Sequence, residues 1–208
     1  QMELEGVCPD AITFIYILKA CGNIQAPDEG REIHKQIAKS GLLKTEILVG
    51  NALVDMYAKC GIFMVAEQVF NDLPIRNTVS WNALISGYVK HDYCKKALDC
   101  HRKMSVDGLP SNAVTYICIL RACGNSRAII KGQEIHSSIL RDGSFDKDVG
   151  IANALIYMYA NCSMLREAQA LFDNLPILDI SSSKALIAGY GRHGWLGKAQ
   201  DVFDKLPS

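Results

Sequence analysis

The sequence predicts an all-α protein, an α-solenoid of stacked helical hairpins, on three observations. Segments recur at a fixed spacing of 102 residues: AITFIYILKACGNI at 11–24 returns as AVTYICILRACGNS at 113–126, NALVDMYAKC at 51–60 as NALIYMYANC at 153–162, and ALISGYVKH at 83–91 as ALIAGYGRH at 185–193. Within these segments apolar residues fall three and four apart, the spacing of one helical face. No stretch of the chain has a strong strand-like alternation. A period this long indicates supersecondary units that stack on one another rather than two globular domains.

The elements follow in order. Phe14, Ile17, Leu18 and Cys21 make one face of a first helix; Pro27 and Asp28 mark a break and a new start, and Ile33 and Ile37 lead to Gly41 as a stop. A second hairpin begins at Ile47, with Leu53, Met56 and Tyr57 on its first helix. Gly61 is its turn, Ala66, Val69, Phe70 and Leu73 lie on its second helix, and Pro74 ends it. Ser80 is the expected N-cap of a third hairpin. Its first helix carries Trp81, Leu84, Ile85 and Tyr88, His91 and Asp92 form the turn, and Ala97, Leu98 and Met104 lead to Gly108 and Pro110. The unit boundaries are 11–46, 47–77 and 78–112, of 36, 31 and 35 residues, and the series restarts as 113–148, 149–179 and a partial 180–208; residues 1–10 match 103–112 and close an earlier unit.

Small residues on the first helices, among them Ala52, Ala83, Ser86, Gly87 and Gly189, permit close helix approach, while Phe70, Phe172 and Phe203 supply bulk on the second helices. One hairpin cannot bury both its faces, so stability must come from stacking. The array is expected to be elongated and, with an apolar face at each end, an excerpt of a longer protein.

Composition narrows the function. The 208 residues are 49% hydrophobic, enough for a core, and Lys+Arg and Asp+Glu are both 22, so any basic surface is local. No apolar run approaches the ~20 residues that cross a bilayer, and no membrane partner is expected. Eight cysteines are too dilute for a disulfide scaffold; Cys21/Cys123 and Cys60/Cys162 fall at equivalent places within helical patterns and read as buried thiols. Catalysis is not expected. His34 and His136 lie a full period apart, roughly 30 Å at the usual helix spacing. No Cys-x-x-Cys occurs, and Cys94 and Cys100 have no His-x-Glu beside them, so the zinc deaminase constellation is missing. No metal, cofactor or small-molecule substrate is expected.

The alternation of 36, 31 and 35 residues, with GREIHKQIAKSG, LVGNALVDMYAKCG, AEQVFNDLP and VSWNALISGYVKHDYCKKAL, resembles the L, S and P motifs of plant-type pentatricopeptide repeat (PPR) proteins of the PLS subclass. The 34-residue period of tetratricopeptide repeats is absent. The resemblance spans the chain and implies a right-handed solenoid that binds single-stranded RNA, about one base per repeat. In the family the fifth and last residues of a repeat face the base edge and the second packs on the base. Carried onto this sequence, the base-reading pairs are Asn51 with Asn77, Asn82 with Asn112, and Asn153 with Asp179; Asp10 closes the incomplete first unit, and Leu48 and Val79 are the stacking residues. Asn with Asn leans to C over U, and Asn with Asp to U. An amide offers both a donor and an acceptor to a base edge, and one base per helical repeat is a known mode of recognition.

Asparagine also caps helices, and Asn112 or Asp179 fits that role as well. Asn51, Asn82 and Asn153 sit just inside their helices, where a cap is less natural, and are expected to face outward into a common channel. The long units place Ile15 with Glu46 and Ile117 with Asp148 at the reading positions, and an isoleucine cannot hydrogen-bond, so these units are expected to space or pack. Gly150 replaces a stacking residue, and the last unit has Ser183 and Lys184 in place of Trp81 and Asn82. With RNA parallel to the chain, the site runs (U/G), any, C/U, C/U, any, U. Lys59, Lys90 and Arg192, at equivalent first-helix ends, are either phosphate contacts or solvated residues favoured there by the helix dipole.

Many proteins with this alternation carry or recruit a deaminase and direct C-to-U editing in chloroplasts or mitochondria. The resemblance therefore implies the target-selecting segment of an organellar RNA-processing or RNA-editing factor, with editing cofactor proteins as further partners. A protein–protein interaction scaffold without RNA readout is the alternative.

Overall fold

The computed structural model describes residues 9–143, 148–175 and 180–205. Among the described residues there are thirteen helices and no strand: α1 (Ala11–Ile24), α2 (Pro27–Ser40), α3 (Leu42–Thr45), α4 (Ile47–Lys59), α5 (Phe63–Asp72), α6 (Thr78–Lys90), α7 (Cys94–Val106), α8 (Ala113–Ser126), α9 (Ile129–Arg141), α10 (Val149–Asn161), α11 (Leu165–Asp173), α12 (Ile180–Arg192) and α13 (Leu196–Asp204). They fall into two compact units, Gln1–Pro110 and Ser111–Ser208.

In the first unit α1, α4 and α6 pack in series, and α2, α5 and α7 fold back on them as hairpin partners. The second helix of a hairpin also reaches the next first helix, α2 touching α4 and α5 touching α6. The second unit repeats the plan, with α8, α10 and α12 in series and α9, α11 and α13 as their partners. This double engagement is what a hairpin with two apolar faces requires. Leu53, Met56 and Tyr57 on α4 are wholly buried, as are Leu155 and Met158 on α10, because a central first helix has neighbours on nearly every side.

Glycines set the closest approaches. A Cβ on Gly30 of α2 would lie 2.5 Å from Met56 Cε, and one on Gly132 of α9 would lie 2.5 Å from Met158 Sδ. A Cβ on Gly87 of α6 would fall 2.5 Å from Ala58 Cβ on α4. Three sequence expectations need correction. Ser80 is not the N-cap of α6: Asn77 caps it, accepting from Ser80 N at 3.0 Å, while Ser80 Oγ accepts from Asn77 N at 2.8 Å, which makes Ser80 the far partner of a capping box. The short α3 was not expected, because four residues carry no periodic signal. Phe203 stands exposed on α13, the last described helix, whereas Phe70 and Phe172 are buried.

The thiols and imidazoles are structural. Cys60 Sγ donates to Cys21 O at 3.9 Å and Cys162 Sγ to Cys123 O at 3.8 Å, the same contact in each unit. Burial pushes the Cys21, Cys60 and Cys162 thiols above their ordinary range, which keeps them protonated and unreactive. His34 Nδ1 lies 3.1 Å from Tyr57 Oη and His136 Nδ1 2.8 Å from Tyr159 Oη. Burial lowers both histidines, so they stay neutral at physiological pH. Among the described residues no group of three His, Cys, Asp or Glu side chains could hold a metal ion.

Candidate nucleic-acid interface

Each first helix of a hairpin keeps one face relatively uncovered, and its residues follow a single register. On α4 it is Leu48, Asn51, Asp55 and Lys59; on α6 it is Val79, Asn82, Ser86 and Lys90. Steps of three, four and four residues keep these side chains on one stripe of a 3.6-residue helix. In the second unit the same register gives Val114, Ile117, Arg121 and Asn125 on α8, and Gly150, Asn153, Tyr157 and Asn161 on α10. It gives Ser181, Lys184, Ala188 and Arg192 on α12. Asp55, Arg121 and Tyr157 were not singled out from the sequence, and Ser86 only as a small packing residue; extending the register two turns beyond the second residue of each unit would have placed all four on the stripe.

Along the stripe the side chains differ sharply in exposure. Leu48 and Val79, expected to stack on bases, are apolar yet 63% and 55% exposed. Asn51 and Asn82 do not project outward as expected: they are only 4% and 8% exposed, while Asn153 is half-buried. The cause is the tight first-helix layer, in which Ala52, Ala83 and Gly87 bring α4 and α6 together and leave the amides at the floor of the stripe. Among the described residues neither amide atom of Asn51 has a hydrogen-bond partner. A buried, unpaired amide of this kind costs about 1–3 kcal/mol, and such an exception asks for an explanation.

The side chain of the last residue of a unit caps the following first helix at Asp10, Asn77, Asn112 and Asp148, but not at Glu46. Asp10 Oδ1 accepts from Thr13 N at 2.8 Å, Asn77 Oδ1 from Ser80 N at 3.0 Å and Asn112 Oδ1 from Thr115 N at 3.1 Å. The Thr13 hydroxyl and backbone N–H together hold the Asp10 carboxyl below its ordinary value, so it is an anion at neutral pH. Asp179 lies outside the described residues. A cap uses only the oxygen of an asparagine, and its NH2 points elsewhere. Asn77→Ala is therefore expected to lower stability by about 1 kcal/mol, whereas Asn77→Asp should preserve the cap and leave the thermal midpoint unchanged. Equal destabilisation by both variants in a melting experiment would show that the oxygen is not what matters.

The three cations are tied to carbonyls and side chains nearby. Lys59 Nζ pairs with Asp55 Oδ2 at 2.7 Å, one turn back on the same helix. Lys90 Nζ donates to Lys59 O at 3.2 Å, and His91 Nε2 lies 2.9 Å from the same oxygen. Arg192 Nη2 donates to Ala160 O at 3.1 Å and to Asn161 Oδ1 at 2.8 Å. Lys90 and Arg192 therefore neutralise the carbonyl end of the preceding first helix rather than only their own.

Comparison with known proteins fits this geometry. The "PPR repeat family" matches residues 76–125, and the "PPR repeat" matches 151–176 and 181–208. The pentatricopeptide repeat-containing protein At2g13600 of Arabidopsis thaliana is 35% identical over 180 residues, covering 86% of this chain and 26% of that protein. The chloroplastic pentatricopeptide repeat-containing protein At4g18520 of the same plant is 38% identical over 174 residues, covering 84% of this chain and 28% of that protein. The chain thus spans about a quarter of the length of these relatives. The crystal structure of the pentatricopeptide repeat protein PPR10 in complex with an 18-nt psaJ RNA element superposes with a TM-score of 0.79 at 18% identity, over 98% of this chain and 31% of that one. The fold is accordingly the all-α, α-solenoid fold of stacked helical hairpins. With the repeat matches, the identities to plant relatives and this shared fold taken together, the chain belongs to the PPR repeat family.

Proposed function

We propose that this chain binds single-stranded RNA, with successive hairpins meeting successive bases. The observation that carries the proposal is the recurrence of one arrangement at a spacing of 31 residues: an exposed apolar residue followed one turn later by a low-lying amide, Leu48 with Asn51 and Val79 with Asn82. An exposed aliphatic side chain suits contact with the face of a base, and an amide beneath it suits the edge. The similar PPR10 structure was determined in complex with an RNA element, which supports the same reading. A base that packs on Leu48 and reaches Asn51 gives its unpaired amide both a donor and an acceptor.

The units 11–46, 47–77, 78–112, 113–148, 149–179 and 180–208 then act as the L, S and P repeats of a PLS-type array. Asn51 with Asn77, Asn82 with Asn112, and Asn153 with Asp179 read pyrimidines, and Asp10 ends the reading pair of the unit before. The wider role is target selection in an organellar C-to-U editing factor, in line with the chloroplastic name of one relative. Editing chemistry belongs to a deaminase carried elsewhere in the full protein or recruited.

Fluorescence polarisation with two short RNAs tests the proposal. A strand bearing pyrimidines at the read positions should bind about five- to twentyfold more tightly than a purine-substituted one, and Asn82→Ala should erase the preference at its own base. Equal binding of both strands by a longer natural form would sink base reading and favour a peptide-binding scaffold. Tight binding without editing activity in that longer form would sink only the editing role.

A further inference from the structure

Gly124, Asn125 and Arg127 at the end of α8, Tyr157 and Asn161 on α10, and Arg192 on α12 line a cleft of about 160 Å³ within the second unit. Asn125, Tyr157, Asn161 and Arg192 are stripe residues, so the cleft lies at the C-terminal end of the face described above. Tyr157 Oη donates to Asn125 Oδ1 at 2.6 Å, and Arg192 Nη2 makes both of its bonds, to Ala160 O and Asn161 Oδ1, from one nitrogen. Arg127 makes no side-chain hydrogen bond or ion pair with any described residue. No carboxylate lines the cleft.

The first unit holds different chemistry at the same four places. Gln25 stands for Arg127, Asp55 for Tyr157, Lys59 for Asn161 and Lys90 for Arg192. There Asp55 neutralises Lys59 at 2.7 Å and Gln25 Nε2 reaches Lys59 O at 3.5 Å. At these places the first unit pairs Lys59 with Asp55 and keeps Lys90 on a backbone carbonyl, whereas the second carries two guanidinium groups with donors to spare. If the arginines served only to neutralise helix carbonyl ends, one such group would suffice, since Arg192 already meets Ala160 O. A guanidinium fork matches the oxygens of a phosphate.

The geometry points to a phosphodiester-binding pocket formed by Arg127 and Arg192, with Tyr157 and Asn161 as its walls, present in the second unit and absent from the first. It rests on the single-stranded RNA reading above and adds Arg127 to it, as a second phosphate ligand beside Arg192, one of the first-helix-end cations already considered for phosphate contact. Arg127 is the group that distinguishes the pocket, because its guanidinium makes no hydrogen bond or ion pair with any described residue and acts on the Cys162 thiol only through its charge.

Arg127→Gln in the 208-residue chain is the direct test. The variant is expected to fold, since Gln25 holds the same left-handed backbone at φ 55, against 54 for Arg127. Unchanged circular dichroism and melting would establish that. With the pyrimidine-bearing and purine-substituted RNAs, it should weaken both by the same factor, about five- to tenfold at low salt. It should also reduce the slope of log affinity against log salt by about 0.7. Arg127→Lys should retain most of the affinity. Inorganic tripolyphosphate, which has no bases, should compete with RNA on the parent protein and compete less on Arg127→Gln. No change in affinity or salt slope would overturn the pocket, as would a loss confined to the pyrimidine strand. A parent protein indifferent to the two strands, yet weakened on both by Arg127→Gln, would refute base reading while sustaining the pocket.

Discussion

Gly87→Ala is expected to destabilise the first unit by about 3 kcal/mol. The added Cβ would lie 2.5 Å from Ala58 Cβ and 3.0 Å from both Ala58 C and Ala58 O. Two of those atoms are backbone, so no rotamer change relieves the clash, and α6 must move away from α4. That movement has a functional reading as well, because Asn51 and Asn82 sit on the two helices being forced apart. Gly191→Ala supplies the control. Gly191 is helical, nothing lies within 4 Å of its added Cβ, and alanine is the better helix former, so this variant should gain about 0.5–1 kcal/mol. Calorimetry of the two variants beside the parent decides the matter. Coincident transitions for Gly87→Ala and the parent would mean that α4 and α6 are not held by this contact.

Asn51→Ala should separate stability from recognition. Asn51 is buried and neither its Nδ2 nor its Oδ1 has a partner among the described residues, so truncation removes an unsatisfied group and leaves only a small void. The thermal midpoint should stay level or rise by up to about 3 °C. Discrimination between pyrimidine and purine at the base read by that unit should nevertheless fall about tenfold. A side chain kept for packing would give the opposite signature, a lower midpoint with recognition unchanged. A drop of several degrees would therefore remove the idea that this amide is held in reserve for a ligand.

The hairpin plan was legible because its determinants are local. Helix periodicity, Pro27 at a helix start and Gly41 at φ 76 as a stop all act within a turn or two of themselves. Gly87 and Gly189 were recognisable as close-approach sites from their place on apolar faces. Ser80 was misassigned because serine is acceptable both as a cap and as the third residue of a capping box, and only the two hydrogen bonds with Asn77 separate those roles. The depth of Asn51 and Asn82 was not legible, since it depends on how closely α4 and α6 approach, a tertiary quantity. The cleft around Arg127 escaped for a related reason. Its members come from three hairpins, and no linear spacing announces that Arg127, Tyr157 and Arg192 meet.

The bonds from Lys90 to Lys59 O and from Arg192 to Ala160 O make the hairpins that begin with α6 and α12 each finish the one before it. Within each compact unit one repeat thus completes a helix end of its neighbour, so cutting that hairpin out would hand the carbonyl end back to water. The similar stretches 102 residues apart carry this dependence twice, once in each unit.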